Sequence, residues 1–218
     1  MESTRTKPRL RGVSHELAFY ASLLAGAVLV LWAPAGRATL AAAIYAASLA
    51  SLYGVSALYH RVNWSRAEAR QWMRRLDHAV IFVAVAGTYT PICLLVLGDG
   101  HGVALLRWIW LGTALGMVQT LIWIRAPRIV SVACYAGLSS LVLLDWSEVA
   151  AGLGPAGVAL IVGGCAVYLF GAIVYALRRP DPRPEVFGYH EIFHLAVIVA
   201  SACHFAAIVR VMIASNTH

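Results

Sequence analysis

His190 and His194 stand four residues apart in the stretch His190-Glu-Ile-Phe-His194, at the start of a long apolar run. Four residues is a little over one helical turn, so on a helix both imidazoles leave the same face, one above the other. Two neutral imidazole nitrogens so placed can grip one transition-metal ion, with zinc the first choice for such ligands. The pair supplies half of a site. The rest of the chain must provide a third ligand and a reason for polar groups to lie among apolar ones.

The elements that would position them are apolar throughout. Of the 218 residues, 61% are hydrophobic and only 12% charged, with a mean hydropathy of +0.74. Soluble domains carry about 25% charged residues. Halving that share over the whole length indicates an integral membrane protein built of helices. Seven apolar segments can be marked, at roughly 16–33, 38–60, 76–97, 102–124, 128–146, 155–177 and 188–212, each near the ~20 residues that a bilayer core requires. Pro34 and Gly36, Gly98 to Gly102, Pro127, Gly152 to Pro155 and Pro180 to Pro184 punctuate the gaps. The expected fold is an all-α, seven-transmembrane helix bundle over residues 16–213, preceded by a basic segment, 1–15.

The net charge is +7, and 16 of the 17 basic residues are arginine. They fall between the apolar runs, which favours a role in membrane orientation over nucleic-acid binding. With the N-terminus in the cytoplasm, the inner connections hold Arg5, Lys7, Arg9 and Arg11, then Arg61, Arg66, Arg70, Arg74 and Arg75, then Arg125 and Arg128, then Arg178, Arg179 and Arg183. Only Arg37, Arg107 and Arg210 remain outside. The positive-inside rule therefore places the N-terminus in and the C-terminus out. An alternative reads the first segment, ending in Ala33-Pro34-Ala35, as a cleavable signal, although its apolar stretch is long for one. The preference for Arg over Lys and the richness in Ala and Gly point to a GC-rich bacterium, and so to its cytoplasmic membrane.

Cys93, Cys134, Cys165 and Cys203 are scattered through apolar segments without a CxxC pair, as small hydrophobes rather than metal ligands or disulfides. The connection from Arg61 to Arg75, with Trp64 and Trp72, reads equally as a short amphipathic surface helix or as a charged loop.

Orientation brings polar groups to one level. His60 ends the second segment, Asp77 and His78 begin the third, and His190 and His194 begin the seventh, all on the cytoplasmic side. Ionisable groups within a bilayer are costly and face partners inside the bundle. Ser56 lies one turn before His60 on the same face, and Asp77 can accept a proton from a water or orient an imidazole. Three histidines and a water make the coordination of a catalytic zinc. His78 should point away from the site. His204, roughly 20 Å deeper at ~1.5 Å per residue, should line the interior or bond another helix. His15 and Glu16, at the start of the first segment, are candidates to support the site. His101 and His218 should be solvated, with Asp145 and Glu148 at the outer edge.

Ser56-Ala-Leu-Tyr-His60, Asp77-His-Ala-Val-Ile-Phe82 running into Gly87-Thr-Tyr-Thr-Pro91, and His190-Glu-Ile-Phe-His194 together resemble the progestin and adiponectin receptor family, and within it the bacterial hemolysin III branch. The likeness covers nearly all of the chain from about Glu16. It implies a zinc held by His60, His190 and His194, with Asp77 and Ser56 around its water, and Glu16 within the first motif. It also implies ceramidase-like chemistry, since the family includes receptors with ceramide-hydrolysing activity and resembles a wider group of membrane zinc hydrolases. Its bacterial members are associated with membrane lipid homeostasis. Without a sizeable N-terminal extension or long outer loops, the chain is not expected to bind a large protein hormone.

The leading expectation is thus a zinc-dependent hydrolase of a lipid amide or ester, with membrane lipids as its partners and substrate and no nucleic acid. The competing readings are a sensor or receptor with zinc as a structural staple, and a pore former. The segments show no continuous polar stripe, which argues against the pore.

Overall fold

A computed structural model describes residues 7–123 and 128–215, and all regular elements among them are helical. Arg5, Arg125 and His218 lie outside the described residues. The helices are α1 (Val13–Trp32), α2 (Arg37–Arg61), α3 (Ala67–Leu95), α4 (Val103–Ile122), α5 (Arg128–Ser140), α6 (Trp146–Leu177) and α7 (Tyr189–Ser215). A π turn, Gly98–Gly102, precedes α4, and a 3-10 turn, Leu141–Asp145, joins α5 to α6.

Six helical stretches among the described residues are long and apolar enough to cross a membrane. The fifth runs over 45 residues from Ala133 to Leu177, taking in most of α5, the 3-10 turn and α6. Leu24, Leu31, Ile122 and Leu144 lie bare on the outside, Leu31 at 86% exposure. Apolar side chains facing outward along the long helices other than the central α3 mark a chain whose solvent is lipid.

Two boundaries differ from the sequence expectation. α3 begins at Ala67, nine residues before the apolar run, because Ala67-Glu68-Ala69-Arg70-Gln71 are strong helix formers and Glu68 sits in the first turn, where its charge suits the helix dipole. The Arg61–Arg75 connection is therefore neither a separate surface helix nor a loop throughout. Trp64 stays in the loop and donates to the Tyr59 carbonyl (3.1 Å), whereas Trp72 rides on α3 with the Arg75 guanidinium 4.4 Å from its ring. α6 reaches back to Trp146, and its helical geometry is broken only at Gly154 (φ 64°, ψ 172°), just before Pro155.

The bundle is layered around α7, which packs against α6, α3 and α1, while α2 lies between α1 and α3 and α4 covers the other side of α3. α2 and α7 meet through side chains: Tyr45 stacks on Phe205 with centroids 6.0 Å apart, and His60 meets His190. Small residues let the helices close in. Ala41, Ala42, Ala79, Ala86, Ala200 and Ala207 are all fully or almost fully buried. α1 belongs to this packing, its His15 built into the cluster described next.

Candidate metal centre

The end of α2, the beginning of α7 and the first turn of α3's apolar part converge at the end of the bundle where α1 begins. His60, His190 and His194 gather there, each offering a ligand nitrogen, with those atoms all within 4.8 Å of one another. His60 and His194 are 7% and 2% exposed. The spacing read from the sequence does place His190 and His194 on one face: their ring centroids are 4.6 Å apart, and each lies within 5 Å of His60.

The donor set fits a metal ion. His60 Nε2 and His190 Nε2 are 3.3 Å apart, and two nitrogens bound to one tetrahedral ion at ~2.0–2.1 Å would stand roughly 3.4 Å apart. His194 Nδ1 is buried with no hydrogen-bond partner, a cost that coordination would remove. Three neutral imidazoles without a nearby thiolate suit zinc, copper, iron or nickel.

Asp77 approaches from α3, with Oδ2 4.0 Å from His60 Nε2 and its side chain 17% exposed. Ser56, one turn before His60, is buried on the same helix. The stretch His190-Glu191-Ile-Phe-His194 also has the form His-Glu-x-x-His, in which metalloproteases use the glutamate as base. Glu191 is not available for that role. One of its carboxylate oxygens accepts from Arg11 Nε and the other from the Gly188 amide at 2.8 Å. The carboxylate facing the cluster is Asp77.

The first segment contributes differently from the expectation. Glu16 turns away to pair with Arg61 at 2.7 Å. His15 is buried and stacks face to face on His194, with centroids 3.9 Å apart and planes 8° from parallel. Both of its ring nitrogens are buried and make no hydrogen bond among the described residues. Before it, residues 7–12 form a strap over the mouth. Arg9 and Leu10 donate their amides to the carbonyls of Glu185 and Val186 in the α6–α7 connection, and Arg11 reaches Glu191. Gly12 makes this possible. Its φ of +81° suits glycine, and a Cβ there would come within 2.6 Å of His60 Cβ. Lys7 donates to the Arg61 carbonyl (3.2 Å). Partial burial, with Arg61, Arg11 and Arg70 around it, holds its ammonium below the ordinary lysine value.

The remaining polar residues have other occupations. His78 faces its own helix, with Nδ1 2.6 Å from the Arg74 carbonyl, and its own carbonyl accepts from Tyr135 of α5. His204 bonds another helix as expected, 3.2 Å from the Ile161 carbonyl on α6. Ser201 shares a 2.7 Å hydrogen bond with Tyr168. Ser201 and His204 do extend the polar face of α7, but buried Val197 and Ala200 interrupt it. At the far end, His101 is exposed yet pairs with Asp145 at 2.6 Å, and Asp145 is itself only 11% exposed rather than an open edge carboxylate. All four cysteines are free. Cys93 alone is buried, and Cys165 lies on the outside of the bundle.

A multi-pass helical bundle with imidazoles and a carboxylate sunk into one end defines the class: an integral membrane protein with a candidate metal centre. The pattern of the haemolysin-III-related family matches residues 3–205, and the chain belongs to that family. It is 28% identical over 196 residues to Hemolysin-3 of Bacillus cereus, covering 88% of this chain and 86% of that protein. It is 28% identical over 162 residues to the Hemolysin-3 homolog of Bacillus subtilis strain 168, covering 74% and 72%. The human monocyte to macrophage differentiation factor, a member of the progestin and adiponectin receptor family, is 28% identical over 183 residues, covering 80% of this chain and 71% of that protein. The resemblance drawn from the three motifs is upheld.

Proposed function

We propose that the chain is a zinc-dependent hydrolase of a lipid amide or ester, working at the cytoplasmic face of a bacterial cytoplasmic membrane and contributing to lipid homeostasis. One observation carries the reading: three buried imidazoles able to hold one ion, with Asp77 4.0 Å from His60, at one end of an apolar bundle. A bound zinc ion supplies Lewis acidity, polarising a carbonyl and acidifying a water. His60, His190 and His194 would hold it. Asp77 would accept a proton as water adds to the acyl carbon, and return it to the nitrogen or oxygen that leaves as the C–N or C–O bond breaks. Ser56 would orient that carboxylate, and the apolar helices would hold the acyl chain.

The test is a lipid-hydrolysis panel of acyl amides and esters, run with metal analysis on the purified protein. Asp77→Asn should keep its metal and lose about 10²- to 10⁴-fold in turnover, whereas His60→Ala and His190→Ala should lose the metal. Wild type that retains zinc and leaves every amide and ester intact would sink the reading.

One observation favours a second reading, in which the metal is a structural staple. α2 and α7 meet at this end through His60 and His190, so an ion there could tie two helices whose backbones lie apart. A folded, stable His60→Ala variant that has merely lost activity would exclude the staple.

A further inference from the structure

Among the described residues, two cations at the mouth of the cluster have no carboxylate in an ion pair with them. Lys7 Nζ sits 3.2 Å from the Arg61 carbonyl, and the charges of Arg61, Arg11 and Arg70 all act on its ammonium. Two are paired, Arg11 with Glu191 and Arg61 with Glu16. Among the described residues no ion pair reaches Lys7 or Arg70. Lys7 spends a hydrogen bond on a backbone carbonyl instead. Glu68 shares a helix with Arg70, but residues two apart leave different faces. Both groups are exposed, within reach of a ligand at the surface. Gly12 packs closely on His60 and on the Arg61 side chain, and Arg61 follows His60 in the chain, which puts this cationic group beside the imidazole cluster.

Like charges crowd at a cost that an anion removes. Guanidinium and ammonium groups together suit a phosphate or a carboxylate. We propose that Lys7, Arg61 and Arg70 form a binding site for an anionic group at the lipid–water boundary, and that this site selects anionic lipids for the metal centre below. The inference rests on reading that centre as one that acts on lipids, and it names the headgroup charge of the substrate. Cytoplasmic leaflets are the source of such headgroups.

The experiment uses the full chain in detergent with equal amounts of phosphatidylglycerol and phosphatidylcholine, counting retained lipids by native mass spectrometry. Wild type should prefer phosphatidylglycerol by roughly tenfold or more. The Lys7→Gln/Arg70→Gln double variant should lose that preference. Arg178→Gln/Arg179→Gln removes the same charge from an exposed position elsewhere and should keep it. Melting curves on both double variants show that each is folded. If millimolar inorganic phosphate displaces the lipid, the site also takes free phosphate; if it does not, the site is confined to headgroups, and either result upholds an anion site. Equal loss in both double variants, or no preference in wild type, overturns the proposal. Binding is read without turnover, so a chain that selects phosphatidylglycerol and hydrolyses nothing refutes only the hydrolase reading.

Discussion

His15 makes a contact that its chemistry does not demand. It is a buried histidine with no well-formed hydrogen bond, laid flat on the His194 ring at 3.9 Å, so its contribution is the shape and stacking of an aromatic plane. Such a plane would hold His194 in one orientation, as the groups behind metal-bound histidines commonly do, at about 10- to 100-fold in metal affinity when lost. His15→Phe should therefore keep the zinc affinity of the purified protein, and His15→Ala should weaken it by about tenfold. Zinc titration against a competing chelator measures both. A Phe variant as weak as the Ala variant would show that the ring nitrogens matter, against the stacking account. At this scale the sequence was legible where spacing or level decides. The i, i+4 rule gave His190 and His194, and charge-based topology brought in His60 and Asp77. It was not legible for His15 over Glu16. Adjacent residues on a helix point about 100° apart, and only the packing of α1 on α2 and α7 determines which one faces the cluster.

The strap of residues 7–12 shows the same limit at the scale of an element. The apolar runs announce the helices, and the observed ends fall within a few residues of them for α1, α2, α4 and α7. Gly and Pro announced the break before Pro155, but not that α6 extends back to Trp146 with Gly154 alone out of helical geometry. Nothing periodic announces the strap. Its ties join Arg9 to Glu185 and Arg11 to Glu191 across some 180 residues of chain, and one glycine sets its path. Gly12→Ala should be costly on two counts. A left-handed backbone costs a non-glycine residue about 1–2 kcal/mol, and the new methyl would fall 2.6 Å from His60 Cβ. The expected result is a melting temperature lower by roughly 5 °C, with reduced metal retention because His60 must shift. Unchanged melting and full metal content would mean that the strap does not bear on the site.

For the whole molecule, the open matter is how many times the chain crosses. Six apolar stretches are long enough, and six crossings would leave both termini on one side. α5 with its 3-10 turn argues for a seventh. Its 13 residues at ~1.5 Å and five at ~2.0 Å give about 30 Å, the thickness of the hydrocarbon core. Its polar contacts also follow α3 and the turn after it: Tyr135 bonds the His78 carbonyl near the metal centre, Ser139 accepts from Tyr89 deeper in, and Asp145 pairs with His101 of the π turn that precedes α4. A seventh crossing beside α3 would leave the segment tied in this way. α5 stands apart from a count by length and hydropathy because it is short, carries polar residues and merges into α6, whereas its partners on α3 are fixed only by the fold. Seven crossings would place the termini on opposite sides, with the basic end inside. Alkaline phosphatase, which folds only outside the cytoplasm, should therefore be active when fused after Ser215, and a fluorescent protein that matures only inside should be dark there. The reverse pattern would leave α5 as a hairpin returning to its own side, and would also put the cationic mouth and the imidazole cluster on a different side from one of the connections now assigned with them.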